Sequence, residues 1–180
     1  MTRSLARALV TIGALGVLVL STLGVAVATG HLGQGPTRSL ASCGPSHPRG
    51  QIVRVTLSDR GGGMMGANAM MVALGVAPDV VGAGPVTFIA TNVGALNHEL
   101  LILPAPRYGV GTRPVAATGK IDESSSLGEA STSCGEGRGN GISPGTSSWV
   151  TLTLPRGNYE LLCDVPWHYA NGMFAPLSVH

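Results

Sequence analysis

Near the end of this 180-residue chain the stretch CDVPWHYANGMF carries Cys163, His168 and Met173 at intervals of five residues. A thiolate, an imidazole and a thioether are donors suited to a soft metal, and together they select copper. In a strand through Tyr159, Leu161 and Cys163, the two-residue period puts those side chains on one face, with Cys163 at the strand's end. The turn DVPWHYANG then returns His168 and Met173 to the same end before the last strand. A second imidazole completes such a set. His98 is the candidate, because it opens the segment HELLILP and follows the turn-rich NVGALN.

Elements able to hold these donors can be read from the patterning. QIVRVTLSD alternates Val53, Val55 and Leu57 against Arg54, Thr56 and Ser58, as a half-buried strand requires. AMMVALGV, GPVTFIATN and HELLILP are short, apolar and bounded by Gly or Pro, and WVTLTLP, NYELLC and MFAPLSV complete the series. About seven strands separated by turn signals, with no convincing amphipathic helix, predict an all-β chain folded as an antiparallel β-sandwich. Residues 104–147 form an insertion too long for a routine connection and too poor in apolar residues for a core strand. Loops of that kind are functional or mobile, and a short helix around Ser124 to Ala130 is an alternative within it.

The chain opens with Arg3 and Arg7 and then an uncharged apolar run from Ala8 to Ala28. Residues 1–28 are therefore expected to be a signal peptide or membrane anchor, with residues 8–28 as a possible membrane tether. The run's length favours an anchor, and AVA at 26–28 favours cleavage. Either way the remainder leaves the cytoplasm. Residues 29–48 mix Gly, Pro and Ser and read as a linker, leaving 49–180 as the domain. The net charge of +2 resides in Arg3 and Arg7, since the other nine basic residues balance nine acidic ones. Without a basic cluster a nucleic-acid surface is excluded. No GxSxG or phosphate-binding glycine loop supports hydrolase or nucleotide chemistry.

The His98, Cys163, His168 and Met173 pattern, with the N-x-G turn at 92–94, resembles the cupredoxins, the small blue copper proteins. The Cys-x4-His-x4-Met loop is most similar to the rusticyanin and sulfocyanin branch. The resemblance spans roughly residues 50–180, with the long insertion and Glu99 as departures. It implies a Greek-key, cupredoxin-like sandwich holding one type 1 copper, with Cys163, His98 and His168 in a trigonal plane and Met173 as a weak axial ligand. The function implied is Cu(II)/Cu(I) electron shuttling between redox partner proteins, not catalysis, in an extracellular, cell-surface or periplasmic setting. An apolar patch of Pro166, Trp167, Tyr169 and Phe174 would surround the outer edge of His168, and His98 would be the more buried imidazole.

Cys43 and Cys134 remain, and in an oxidising compartment they pair most simply with each other. LASC at 40–43 also resembles a lipoprotein processing site, so a lipid on Cys43 is the alternative. Met64, Met65, Met70 and Met71 either pack in the core or form a thioether surface for copper storage or delivery, the alternative function. His31, His47 and His180 are expected to be solvated. Glu99 and Asp164 flank two candidate ligands and either orient them or lie at the surface.

Overall fold

The computed structural model describes residues 43–60 and 71–180. The proposed signal or anchor at 1–28, most of the linker, and Met64, Met65 and Met70 lie outside the described residues. Among those described, nine strands form two sheets and there is no α-helix. The strands are β1 (Gln51–Arg60), β2 (Met71–Ala77), β3 (Val80–Val81), β4 (Gly84–Asn92), β5 (Leu100–Pro104), β6 (Gly128–Ala130), β7 (Ser147–Leu154), β8 (Gly157–Leu162) and β9 (Phe174–Val179). One sheet has the order β2-β1-β4-β7 and the other β3-β9-β8-β5-β6.

The sheets are mixed, which corrects the expectation of a purely antiparallel sandwich. β1 runs parallel to β4, and β3 parallel to β9, while the remaining pairs are antiparallel. Alternation reveals which face of a strand is buried, but a neighbour's direction follows from the connections. The β1–β2 hairpin and the short β3 intervene before β4 returns alongside β1 in the same sense.

Inward residues of both sheets make one core. Val53, Val55 and Leu57 of β1 meet Val86, Phe88 and Ala90 of β4, and Tyr159, Leu161 and Cys163 share the inner face beyond them, as the period of two requires. Leu100 and Ile102 face the same core, whereas Leu101, Leu103 and Leu162 point outwards and are nonetheless fully buried. Residues of the insertion cover them.

Ile121 and Val115 pack over Leu101, Leu103, Leu162, Tyr169 and Phe174 in a second apolar cluster. Each fully buried Leu or Ile there contributes roughly 1.5–3 kcal/mol. Beside it, buried Glu160 accepts hydrogen bonds from Gly111 N (2.6 Å), Arg113 Nε (2.5 Å) and Tyr169 Oη (3.1 Å), so its charge is fully partnered. The insertion thus gives the outer sheet face a cover, and strand β6 occupies the position of the short helix considered around residues 124–130. A disulfide joins Cys43 to Cys134, fastening the end of the linker to this insertion.

Candidate metal centre

Three loops meet at one end of the sandwich. β4 ends at Asn92, whose buried side chain fixes the turn that follows. Its Nδ2 donates to Leu96 O and Ile142 O, both at 2.7 Å, and its Oδ1 accepts from Gly94 N at 2.9 Å. His98 is then clipped to the insertion by paired backbone bonds with Ile142, of 3.3 and 2.7 Å. The NVG signal in the sequence therefore marks a scaffold for His98.

Cys163 directly follows β8. A 3-10 turn, Tyr169–Asn171, folds the chain back after His168, and Gly172 ends it in the left-handed region at φ +92°. Met173 N donates to His168 O, and Met173 O accepts from Cys163 N, both at 3.1 Å. Backbone bonds therefore hold Cys163, His168 and Met173 in one closed loop.

His98 Nδ1, His168 Nδ1 and Cys163 Sγ converge. The two nitrogens are 3.2 Å apart, and the sulfur lies 3.4 Å from His168 and 3.9 Å from His98. Among the described residues this is the one cluster of three His, Cys or carboxylate donors suited to an ion. Donors held about 2.0–2.3 Å from a shared first-row ion are roughly 3.3–3.8 Å from each other, and the observed separations straddle that range. His98 and Cys163 are fully buried, His168 is 2% exposed, and Met173 is fully buried in the same core cluster as Cys163. The donor set and its enclosure fit copper.

Electrostatics prepare the nitrogens more than the sulfur. His98 Nε2–H donates to Asp59 Oδ1 at 2.9 Å, which leaves the lone pair on Nδ1 facing the cluster. Asp59 also accepts from Ala95 N at 2.8 Å and Leu96 N at 3.0 Å. Burial pushes its carboxyl upwards, but these amides and His98 outweigh it and hold the group below its ordinary value. Burial, opposed by Asp59, lowers His98; burial first and His98 second push His168 down to about 4. Both imidazoles are thus neutral, as metal ligation requires. Burial raises the Cys163 thiol to about 12, although Glu99 N donates to its sulfur at 3.3 Å, so thiolate ligation requires proton loss on metal uptake.

Asp59 was not singled out in the sequence, yet the signal was present. It continues the inward series Val53, Val55 and Leu57, and a carboxylate at the next inward position calls for a buried partner. Asp164, next to Cys163, is buried and not superficial: its Oδ1 accepts from Ile121 N at 2.8 Å, and burial, then a hydrogen bond with Glu123, raises it to about 7. Glu99 is half-buried and touches the cluster through its backbone. Met71 is 56% exposed, which overturns core packing for that residue.

The expected apolar patch is only partly present. Pro166 and Trp167 are exposed, but Tyr169 is buried and Phe174 half-buried in the cluster beneath the insertion. Aromatic type alone did not reveal that the insertion would cover them. Val93 and Leu96 are exposed on the loop that leads to His98. Trp167 is in the left-handed region at φ +71°, with its N–H donating to Gly119 O at 2.8 Å. A Cβ at Gly119 would press within 3 Å of the indole, so glycine permits this approach. His168 itself is 2% exposed, between exposed Trp167 and buried Tyr169.

A profile of the sulfocyanin (SoxE) domain matches residues 79–180, more than half of the chain. No curated protein matches. Among solved structures the chain is similar to dithionite-reduced auracyanin from the photosynthetic bacterium Roseiflexus castenholzii, with 21% identity, 74% of this chain and 99% of that chain covered, and a TM-score of 0.44. It is also similar to auracyanin A, a "blue" copper protein from Chloroflexus aurantiacus, with 20% identity, coverage of 72% and 99%, and a TM-score of 0.44. Rusticyanin from Thiobacillus ferrooxidans gives 19% identity, coverage of 73% and 79%, and a TM-score of 0.41. The chain belongs to the sulfocyanin (SoxE) domain family of the cupredoxins, and its cofactor is one type 1 copper.

Proposed function

We propose that His98, Cys163, His168 and Met173 are the copper ligands and that the protein is an exported electron carrier, not an enzyme. Bound there, copper supplies a one-electron Cu(II)/Cu(I) couple. The observation that carries this reading is the gathering of three enclosed donor atoms from two loops, each clamped by backbone hydrogen bonds. A preset, enclosed site suits a change of charge with little rearrangement, whereas catalysis calls for an open position. The Cys43–Cys134 disulfide supports an oxidising compartment. Residues 1–28 would direct export or anchor the chain, 29–48 would link, and 49–180 would form the copper domain.

Electrons would pass through His168, which lies next to exposed Pro166 and Trp167. Redox encounters use small interfaces, below about 1,200 Å². Trp167→Asp tests the route, because Asp tolerates a left-handed backbone. Slower electron self-exchange with an unchanged absorption band is expected. Unaltered self-exchange with charges at both Trp167 and Pro166 would refute the route. Exposed Met71 favours a second reading, storage or delivery of Cu(I). A stored Cu(I) pool is colourless and has no reversible couple, which separates the two.

A further inference from the structure

We propose that Asp59 is a positioning residue for the copper site, fixing the tautomer and orientation of His98 and placing an unscreened negative charge that lowers the reduction potential. The inference rests on His98 being a ligand. Asp59 comes from the end of β1, outside the span matched by the family profile. Its side chain is 5% exposed and His98 is fully buried, so their 2.9 Å contact is sheltered from solvent and salt. The carboxylate is itself held, with Oδ1 receiving Ala95 N, Leu96 N and His98 Nε2 together and Oδ2 receiving Ala95 N again at 3.1 Å.

Three consequences follow from that arrangement. A carboxylate accepting from Nε2 forces the proton onto that nitrogen and frees the Nδ1 lone pair, the atom 3.2 Å from its counterpart on His168. Hydrogen bonding to an anion raises the basicity of the imidazole, and a basic ligand favours the more highly charged metal state. The full negative charge one imidazole ring away acts in the same direction, stabilising Cu(II) over Cu(I). Gly94 is part of the device: its amide hydrogen-bonds Asn92 Oδ1, and a Cβ there would overlap Asp59 Oδ1.

The test uses the full chain with Asp59→Asn, Asp59→Ala and Gly94→Ala. In the copper-loaded proteins the absorption band should persist in Asp59→Asn while the preference for Cu(II) over Cu(I) falls at least tenfold, a rise in potential of about 59 mV for one electron. Asp59→Ala should also bind copper about 10–100-fold more weakly. Gly94→Ala should raise the potential as well, by displacing the carboxylate. In the metal-free proteins, nitrogen-15 NMR of the His98 ring should show a single Nε2–H tautomer in the wild type and a mixture in Asp59→Ala. A wild-type band with less than a twofold change in Cu(II) preference in Asp59→Asn overturns the charge role, and an unchanged tautomer in Asp59→Ala overturns the positioning role. Absence of the band from the wild type overturns the ligand reading and this proposal with it.

Discussion

Asn92→Ala tests whether the turn after β4 is the scaffold of His98. The side chain is fully buried and makes three hydrogen bonds, to Leu96 O, Ile142 O and Gly94 N. At about 0.5–1.5 kcal/mol net for each bond, the loss is about 2–4 kcal/mol. Urea unfolding of the metal-free protein at neutral pH reads this directly, as a fall in midpoint of roughly 1–2 M for a slope of about 2 kcal/mol/M. The turn also presents the amides of Ala95 and Leu96 to Asp59, so the same variant should release copper faster. Asn97, exposed on the same loop, is the control, and Asn97→Ala should change stability by no more than about 0.5 kcal/mol. If Asn92→Ala costs no more than Asn97→Ala, the turn is held by something other than this amide and the reasoning fails.

Removing the disulfide as Cys43→Ser should cost about 2–4 kcal/mol. Its closure of a 91-residue separation places a ceiling of about 4–5 kcal/mol on the chain-entropy effect, and thermal unfolding with and without reductant measures it. The metal-free protein should depend on pH through His168, which burial and His98 push down to about 4 in the folded state against about 6.5 unfolded. Between those values the unfolded chain binds more protons, so the stability His168 contributes is present above pH 6.5 and is lost as pH falls to about 4. Comparison with His168→Gln isolates this effect, because Asp164, raised to about 7 by burial, acts oppositely over that window in both proteins. A stability difference that does not vary from pH 7 to pH 4 would contradict the shift.

The convergence of Cys163 with His168 was legible because their spacing is local: both lie in one short loop, and alternation in β8 fixes the face on which Cys163 lies. The disulfide followed from counting cysteines in a chain expected to be exported. Alternation in β1 also gave the inward Val53, Val55 and Leu57. The parallel pairing of β1 with β4 was not legible, because strand direction depends on the path of the connections and not on the pattern within a strand. Tyr169 and Phe174 were expected at the surface because the Gly- and Ser-rich insertion that packs over them has few apolar residues to advertise it, Val115 and Ile121 being the two that pack there. The inward position of Asp59 on β1 was legible, but its partner was not, since His98 lies 39 positions further along the chain.

The central claim is that Cys163 binds copper as a thiolate beside His98 and His168. The visible absorption spectrum of the oxidised, copper-loaded protein tests it most directly, with Cys163→Ser measured in parallel. The wild type should show an intense thiolate-to-copper charge-transfer band, and the serine variant, which has the same imidazoles but no sulfur at that position, should lose it. A colourless copper-loaded wild type that oxidants leave unchanged, or a band of equal intensity in Cys163→Ser, would contradict the account.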